Sequence, residues 1–227
     1  MIRVPMADLA PGERALDAEQ ARYVARVHRL RAGDRFVAFD PSRALECDAE
    51  VIDEHRVRLG DVRPACVASR AVTWIHGSPK GDKADAIVRD ATELGATRIV
   101  FVQTARAVAK PPAARVARWT KIAREAARQC GRGDAPEIAL AADWESALDG
   151  AHADARICLD PRGGPLRDAL ERARGSLAFA VGPEGGLTDD ELASAVARGF
   201  TICRFGAFVM RTETVAAAVL GAAALFA

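Results

Sequence analysis

From Ala71 onward, short apolar runs alternate with longer stretches in which apolar positions recur every three or four residues. Val72 to His76, Arg98 to Gln103, Arg156 to Leu159, Ser176 to Val181 and Phe200 to Phe205 have strand length and few charges, as strands buried on both faces do. Between them, Asp82 to Leu94 with Gly95 as stop, Ala113 to Cys130 opened by Pro111-Pro112, Trp144 to Leu148 and Pro165 to Arg174 predict helices. Another short strand is expected after Pro136. Thr188-Asp189-Asp190-Glu191 has capping-box spacing and starts a helix that Gly199 stops, and Val215 to Phe226 forms the last one. This alternation predicts a parallel sheet with helices on both faces, an α/β domain over 71–227.

The first 68 residues have another rhythm. Beyond a helical stretch at Ala18 to Val27, the runs Arg35 to Asp40, Ala44 to Ile52 and Val57 to Leu59 are separated by Gly33-Asp34, Asp40-Pro41-Ser42 and Asp53-Glu54. They predict a small, mostly antiparallel β-barrel over 1–68, with Pro64 to Ser69 as linker.

Composition narrows the setting. The chain has 227 residues, half of them hydrophobic, and a formal net charge of +1 that by itself points to no polyanionic partner. Cys47, Cys66, Cys130, Cys158 and Cys203 include no C-x-x-C pair and read as free thiols in a reducing cytoplasm. The start lacks a signal-peptide core and no apolar run is long enough for a bilayer, so a soluble cytoplasmic protein is expected. His28, His55, His76 and His152 are scattered without metal-ligand spacing, so no metal is expected.

Local charge says more than the mean. Between Arg106 and Arg132 the chain carries eight basic residues and one acid, Glu125. At about 100° per residue, Arg118, Lys121, Arg124, Arg128 and then Arg132 fall on one side of the helix, opposite Val116, Trp119, Ile122, Ala123 and Ala126. Such a stripe is either a solvated face or a set of phosphate contacts. The same choice applies to Arg26, Arg29 and Arg31 near His28.

The two terminal strand-to-helix loops are the most distinctive. Gly182-Pro183-Glu184-Gly185-Gly186 continues neither a strand nor a helix, and Phe205-Gly206 leads to Met210-Arg211-Thr212-Glu213-Thr214 and an alanine-rich helix. Loops at the carboxyl ends of parallel strands are where open α/β sheets bind ligands. No GxGxxG follows a strand, which argues against a dinucleotide site.

This pair of loops, with Arg29 to Asp40, Lys80-Gly81-Asp82-Lys83, Glu93-Leu94-Gly95, Trp119 to Ala123, Gln129-Cys130-Gly131-Arg132 and Pro136-Glu137-Ile138, resembles the bacterial 16S ribosomal RNA uridine N3-methyltransferases, the RsmE family of the SPOUT superfamily. The resemblance implies a PUA-like RNA-binding β-barrel followed by a SPOUT domain whose end is threaded into a deep trefoil knot. It implies S-adenosyl-L-methionine as cofactor, held by Leu159-Asp160-Pro161, by Gly182, Pro183, Glu184, Gly185 and Gly186, and by Phe205, Gly206, Val209, Met210 and Thr212. Leu187 adds to the apolar walls.

Methylation at uridine N3 requires loss of the imide proton, so a cation and a proton acceptor are expected. Arg211 is the candidate cation, and Glu213 and Glu184 are the candidate acceptors. Arg26, Arg29, Arg31, Lys80, Lys83, Arg106, Arg118, Lys121, Arg124 and Arg132 are expected to meet 16S ribosomal RNA or the small subunit. SPOUT relatives pair through the C-terminal domain, and the last helix is apolar nearly all round, so a homodimer is expected. The alternatives are another SPOUT reaction, at a ribose 2′-oxygen or a guanine, or a catalytically silent RNA-binding assembly factor. Three positions depart from the family pattern: Phe208 stands for arginine, Arg128 for an acidic residue and Asp90 for lysine.

Overall fold

A computed structural model describes residues 2–108 and 113–226, which divide into two compact units. The first comprises residues 1–67 with 127–135. Its strands are β1 (Arg3–Pro5), β2 (Gly12–Ala15), β3 (Arg35–Asp40), β4 (Leu45–Asp53), β5 (Arg56–Leu59) and β6 (Arg63–Pro64), in one sheet of order β1-β3-β4-β5-β2 with β6 paired to β4. All pairings are antiparallel except β1 with β3. Alternate residues of β3 to β5, among them Phe36, Ala38, Cys47, Ala49, Val51, Val57 and Leu59, bury one common core. The helical stretch is one turn, α1 (Ala18–Ala21), capped by Asp17, and runs into π-helical Arg22–Val27. In this unit the Arg128 guanidinium lies 4.9 Å from the centre of the Tyr23 ring, a cation–π contact.

The second unit comprises residues 68–126 and 136–227. It contains β7 (Val72–Gly77), α2 (Lys83–Glu93), β8 (Arg98–Val102), most of α3 (Arg115–Cys130), β9 (Glu137–Leu140), α4 (Trp144–Asp149), β10 (Ala155–Pro165), α5 (Leu166–Arg172), β11 (Leu177–Val181), α6 (Asp189–Ala197), β12 (Thr201–Arg204) and α7 (Thr212–Ala224). The six strands are all parallel in the order β12-β10-β11-β7-β8-β9. The strand period of two sorts residues between two cores. Trp74, Ile99, Phe101, Ile157 and Phe179 face Ile87, Trp119, Leu170 and Val219, whereas Ile75, Val100, Cys158 and Ala178 face Trp144, Leu148 and Ala195. Helices therefore cover both faces, as the alternation predicts.

The capping box at Thr188 forms: Glu191 N–H donates to Thr188 Oγ1 and Thr188 N–H to Glu191 Oε2, at 3.2 and 2.8 Å. Two local expectations change. Pro111-Pro112 lies outside the described residues, and described helix begins at Arg115. Leu159-Asp160-Pro161 is no free loop: β10 continues to Pro165, with a register irregularity against β12 between Leu159 and Gly164. The irregularity coincides with an Asp160 carboxylate that accepts from Arg162 N–H two residues on, at 3.0 Å. Among the described residues no helix is long and apolar enough to cross a membrane.

Candidate active site

The carboxyl ends of β10, β11 and β12 and the first turn of α7 enclose a cavity of about 240 Å³, placed where parallel sheets bind ligands. Leu159, Asp160, Pro161, Gly182, Pro183, Glu184, Gly186, Phe205, Gly206, Val209, Met210 and Thr212, all expected at the cofactor, line it. Leu187 joins them as an apolar wall, and Phe208 lies on its exposed side. Gly185 does not line it, and its carbonyl accepts from Arg106 Nη1 at 3.0 Å. Arg106, expected at RNA, thereby braces the loop.

The first wall is built by close approach. Gly186 N–H donates to Pro183 O at 2.8 Å and closes the turn. A side chain at Gly77, the last residue of β7, would bring its Cβ to 2.6 Å from Pro183 Cδ, so only glycine lets the turn sit on that strand. The nearly buried Asp160 carboxylate is gripped by Arg162 at 2.8 and 3.1 Å, and Arg162 also pairs with Asp189 at the start of α6. Burial pushes the Asp160 carboxyl up, but the Arg162 contacts outweigh it and hold the group below its ordinary value.

Beside the cavity, Lys83 gathers the two candidate carboxylates. Its Nζ lies 2.8 Å from Glu184 Oε1 and 3.3 Å from Glu213 Oε2. The two sites differ. Glu184 also accepts from Lys80 N–H at 3.1 Å, so its oxygens are occupied. Glu213 Oε2 is buried against Lys83, in a longer contact that lacks hydrogen-bond alignment. Burial raises Glu184, and Lys83 with the backbone N–H groups overrides it, so the carboxyl lies below the usual range. For Glu213 its own N–H is the main cause of a lowered value, opposed by burial and helped by Lys83 and Arg211. Both are ionised at neutral pH. The Lys83 ammonium is correspondingly raised by Glu184 and Glu213, and its expected place at RNA gives way to a counter-ion's.

Arg211 caps α7 in extended backbone, and its exposed guanidinium makes no hydrogen bond or ion pair among the described residues. It follows Met210 and precedes Thr212, both at the cavity. Sequence reasoning missed the partner of Thr212. His76, wholly buried at the end of β7, lies with Nε2 2.8 Å from Thr212 Oγ1, while its Nδ1 accepts from Trp74 Nε1 at 3.1 Å. Burial drives its pKa down to about 3, only partly opposed by Glu184 and Glu213, so the ring is neutral. The one signal was its place as a polar residue closing an otherwise apolar strand.

The expected RNA-facing cations separate into groups. In the first unit Arg26, Arg29 and Arg31 are exposed with no ion pair among the described residues. Arg132, on the same sequence stripe as α3, is buried and paired with Asp134 at 2.6 Å, so it is withdrawn from the RNA face. The helix ends at Cys130, and Gly131 at φ 90° turns the chain inward there. On α3, Arg118 pairs with Asp85, Lys121 lies 3.9 Å from Glu125, and Arg124 is exposed without an ion pair among the described residues. An exposed pair of the Lys121 kind is worth under about 1 kcal/mol, so phosphate can compete for it. The Lys80 side chain is likewise exposed and unpaired among the described residues.

Residues 68–224 match the family described as an RNA methyltransferase domain, and residues 16–60 an RNA methyltransferase PUA domain. The ribosomal RNA small subunit methyltransferase E of Mycobacterium bovis is 31% identical, over 91% of this chain and 84% of that protein. That of Bacillus subtilis is 27% identical, over 88% and 85%. The crystal structure of a ribosomal RNA small subunit methyltransferase E from Neisseria gonorrhoeae bound to S-adenosyl methionine superposes with a TM-score of 0.83 at 27% identity, covering 98% of this chain and 96% of that one.

Proposed function

The chain belongs to the ribosomal RNA small subunit methyltransferase E family, and from that premise we propose that it methylates N3 of a uridine in 16S ribosomal RNA, within the assembled small subunit in the cytoplasm. The observation that carries the reading is one cavity lined by the glycine turn and by Met210 and Thr212, the residues on either side of the exposed Arg211, with Glu213 next in the chain. The residues present fit S-adenosylmethionine. A Cβ at Gly182 would lie 2.8 Å from the Gly186 backbone, so the loop offers bare backbone to an adenine and ribose, while Leu159, Leu187, Val209 and Met210 supply apolar surface. When bound, the cofactor supplies an electrophilic methyl group on a sulfonium.

The protein's own part is to make N3 a nucleophile. Losing the imide proton spreads negative charge over the flanking carbonyl oxygens, and Arg211, which makes no ion pair among the described residues, is placed to stabilise that charge. Glu213 takes the proton: its carboxylate is held ionised and follows Arg211 by two residues in the first turn of α7. Glu184, which accepts from Lys83 and from Lys80 N–H, holds the ammonium between the two carboxylates. The low basicity of Glu213 makes Arg211 necessary: the cation must bring the imide proton within a weak base's reach. Arg26, Arg29 and Arg31 on one unit, and Lys80, Arg118, Lys121 and Arg124 on the other, serve as phosphate contacts.

The active form is a homodimer through the C-terminal domain. α7 buries Ala216, Val219, Leu220 and Ala223 within its own unit but leaves Ala218 and Gly221 partly exposed, a small-residue face that permits close helix approach, with Leu225 exposed just beyond its end. Light scattering tests it: a mass near twice 24.1 kDa is expected, and a monomer removes it.

Nucleoside mass spectrometry of small subunits lacking the modification, incubated with protein and cofactor, tests the activity. 3-Methyluridine is expected. A 2′-O-methylated nucleoside would replace the reaction, and cofactor binding without product would replace the substrate.

A further inference from the structure

The buried polar chain behind the cavity has a direction that can be read from its donors. Trp74 Nε1 can only donate, so the His76 Nδ1 it reaches at 3.1 Å must be the ring's unprotonated nitrogen. The neutral ring then carries its proton on Nε2 and donates to Thr212 Oγ1 at 2.8 Å. With that lone pair engaged, the Thr212 hydroxyl turns its own proton to the Gly182 carbonyl at 3.3 Å. Each donor is used once, from β7 through the first residue of α7 to the first residue of the glycine turn.

We infer that His76 is a positioning residue for the cofactor cavity: through the Thr212 hydroxyl it sets the start of α7 against the Gly182 turn, and so places Arg211 and Glu213. Three observations support this beyond the bonds themselves. Thr212 and Gly182 both line the cavity, so the chain ends on its wall. Gly77, next to His76, is the residue on which Pro183 rests, so one strand end meets both terminal loops. Thr212 lies between Arg211 and Glu213, so a rotation of the first turn of α7 moves the cation and the carboxylate together. A histidine satisfied merely as core would need no partner at the cavity wall.

The inference rests on the methyltransferase reading, and its test separates the two. Glutamine keeps the pair of functions, a carbonyl oxygen for Trp74 and an amide N–H for Thr212, whereas leucine keeps bulk and has neither. The full chain and the variants His76→Gln, His76→Leu, Thr212→Val and His76→Leu/Thr212→Val are compared by S-adenosylmethionine calorimetry, by amide hydrogen exchange and by melting temperature. His76→Leu is expected to weaken cofactor binding about tenfold, the scale of one lost buried hydrogen bond, and to speed exchange in residues 182–186 and the first turn of α7 but not in α6. His76→Gln is expected to stay within about threefold of the parent, and the double variant to be no weaker than the weaker single one. Unchanged exchange at both loops in His76→Leu, a glutamine variant as impaired as leucine, or additive losses in the double variant would each overturn the inference. Should His76→Leu not fold, Thr212→Val decides alone: equal cofactor affinity and exchange to the parent overturns it. A parent chain that binds no S-adenosylmethionine overturns the functional reading instead, and the exchange pattern still judges the positioning role.

Discussion

The two loops that wall the cavity are opposites. The turn from Gly182 to Gly186 is fixed at nearly every residue: Gly182 by Thr212, Pro183 against Gly77, Glu184 by Lys80 and Lys83, Gly185 by Arg106. The stretch from Phe205 to Met210 lies on the cavity's outer side, with Phe208 87% and Val209 81% exposed. One loop is a finished surface that determines what cofactor shape is accepted. The other packs Phe205 against the core but leaves Phe208, Val209 and the Arg211 side chain exposed. The division suits the proposed function: prebuilt backbone recognition would save ordering entropy on binding, while a free cation could meet charge that develops only during reaction.

The sharpest way to break the comparison is at the open loop. Arg211→Ala is expected to lower kcat on the order of a hundredfold, about 2.7 kcal/mol, with cofactor affinity nearly unchanged. A variant that loses cofactor affinity and keeps kcat would make Arg211 part of the fixed wall. On the closed loop, Gly77→Ala acts on folding: Pro183 must move, at about 2 kcal/mol, and denaturant titration reads the loss.

A pH scan sharpens the same side. His76 titrates near 6.5 when unfolded and about 3 when folded, so between those values the unfolded chain binds more protons and stability falls as pH drops. The slope from this group is about 1.4 kcal/mol per pH unit, and His76→Gln should flatten the curve below pH 6.5 by that amount.

The two carboxylates test where the boundary runs. Glu213→Gln should reduce kcat about tenfold or more at constant melting temperature, while Glu184→Gln should lower cofactor affinity and stability first. Equal kcat losses would mean that both belong to the reaction. The smallest effect is expected at Phe208→Arg, which adds a cation to the exposed loop: RNA affinity should rise and its salt slope steepen by about one unit. An unchanged slope would place Phe208 away from the phosphates.

Much of this arrangement is written in the order of the residues. Periodicity places β7, α2, β8, β11, α6, β12 and α7 to within a few residues, because strand and helix burial leave periods of two and 3.6 in any sequence that folds this way. The capping box at Thr188 and the glycine turn are readable because caps and tight turns depend on neighbours in the chain. The loop residues gather into one cavity because a parallel sheet must set its βα loops side by side.

What the tertiary structure alone decided is which charges face which. Arg118, Lys121 and Arg132 look alike on a helical wheel, yet Arg132 is buried against Asp134 just beyond the helix, and Arg118 pairs with Asp85 on α2. Lys83 reads as one more surface cation until Glu184 and Glu213, each more than a hundred residues away, close around it. His76 reads as an isolated histidine until Trp74, Thr212 and Gly182 surround it. Local propensity and burial act through near neighbours and so are written along the chain. Ion pairing and hydrogen bonding act over about 3 Å in space, and only the fold determines which distant residues come that close.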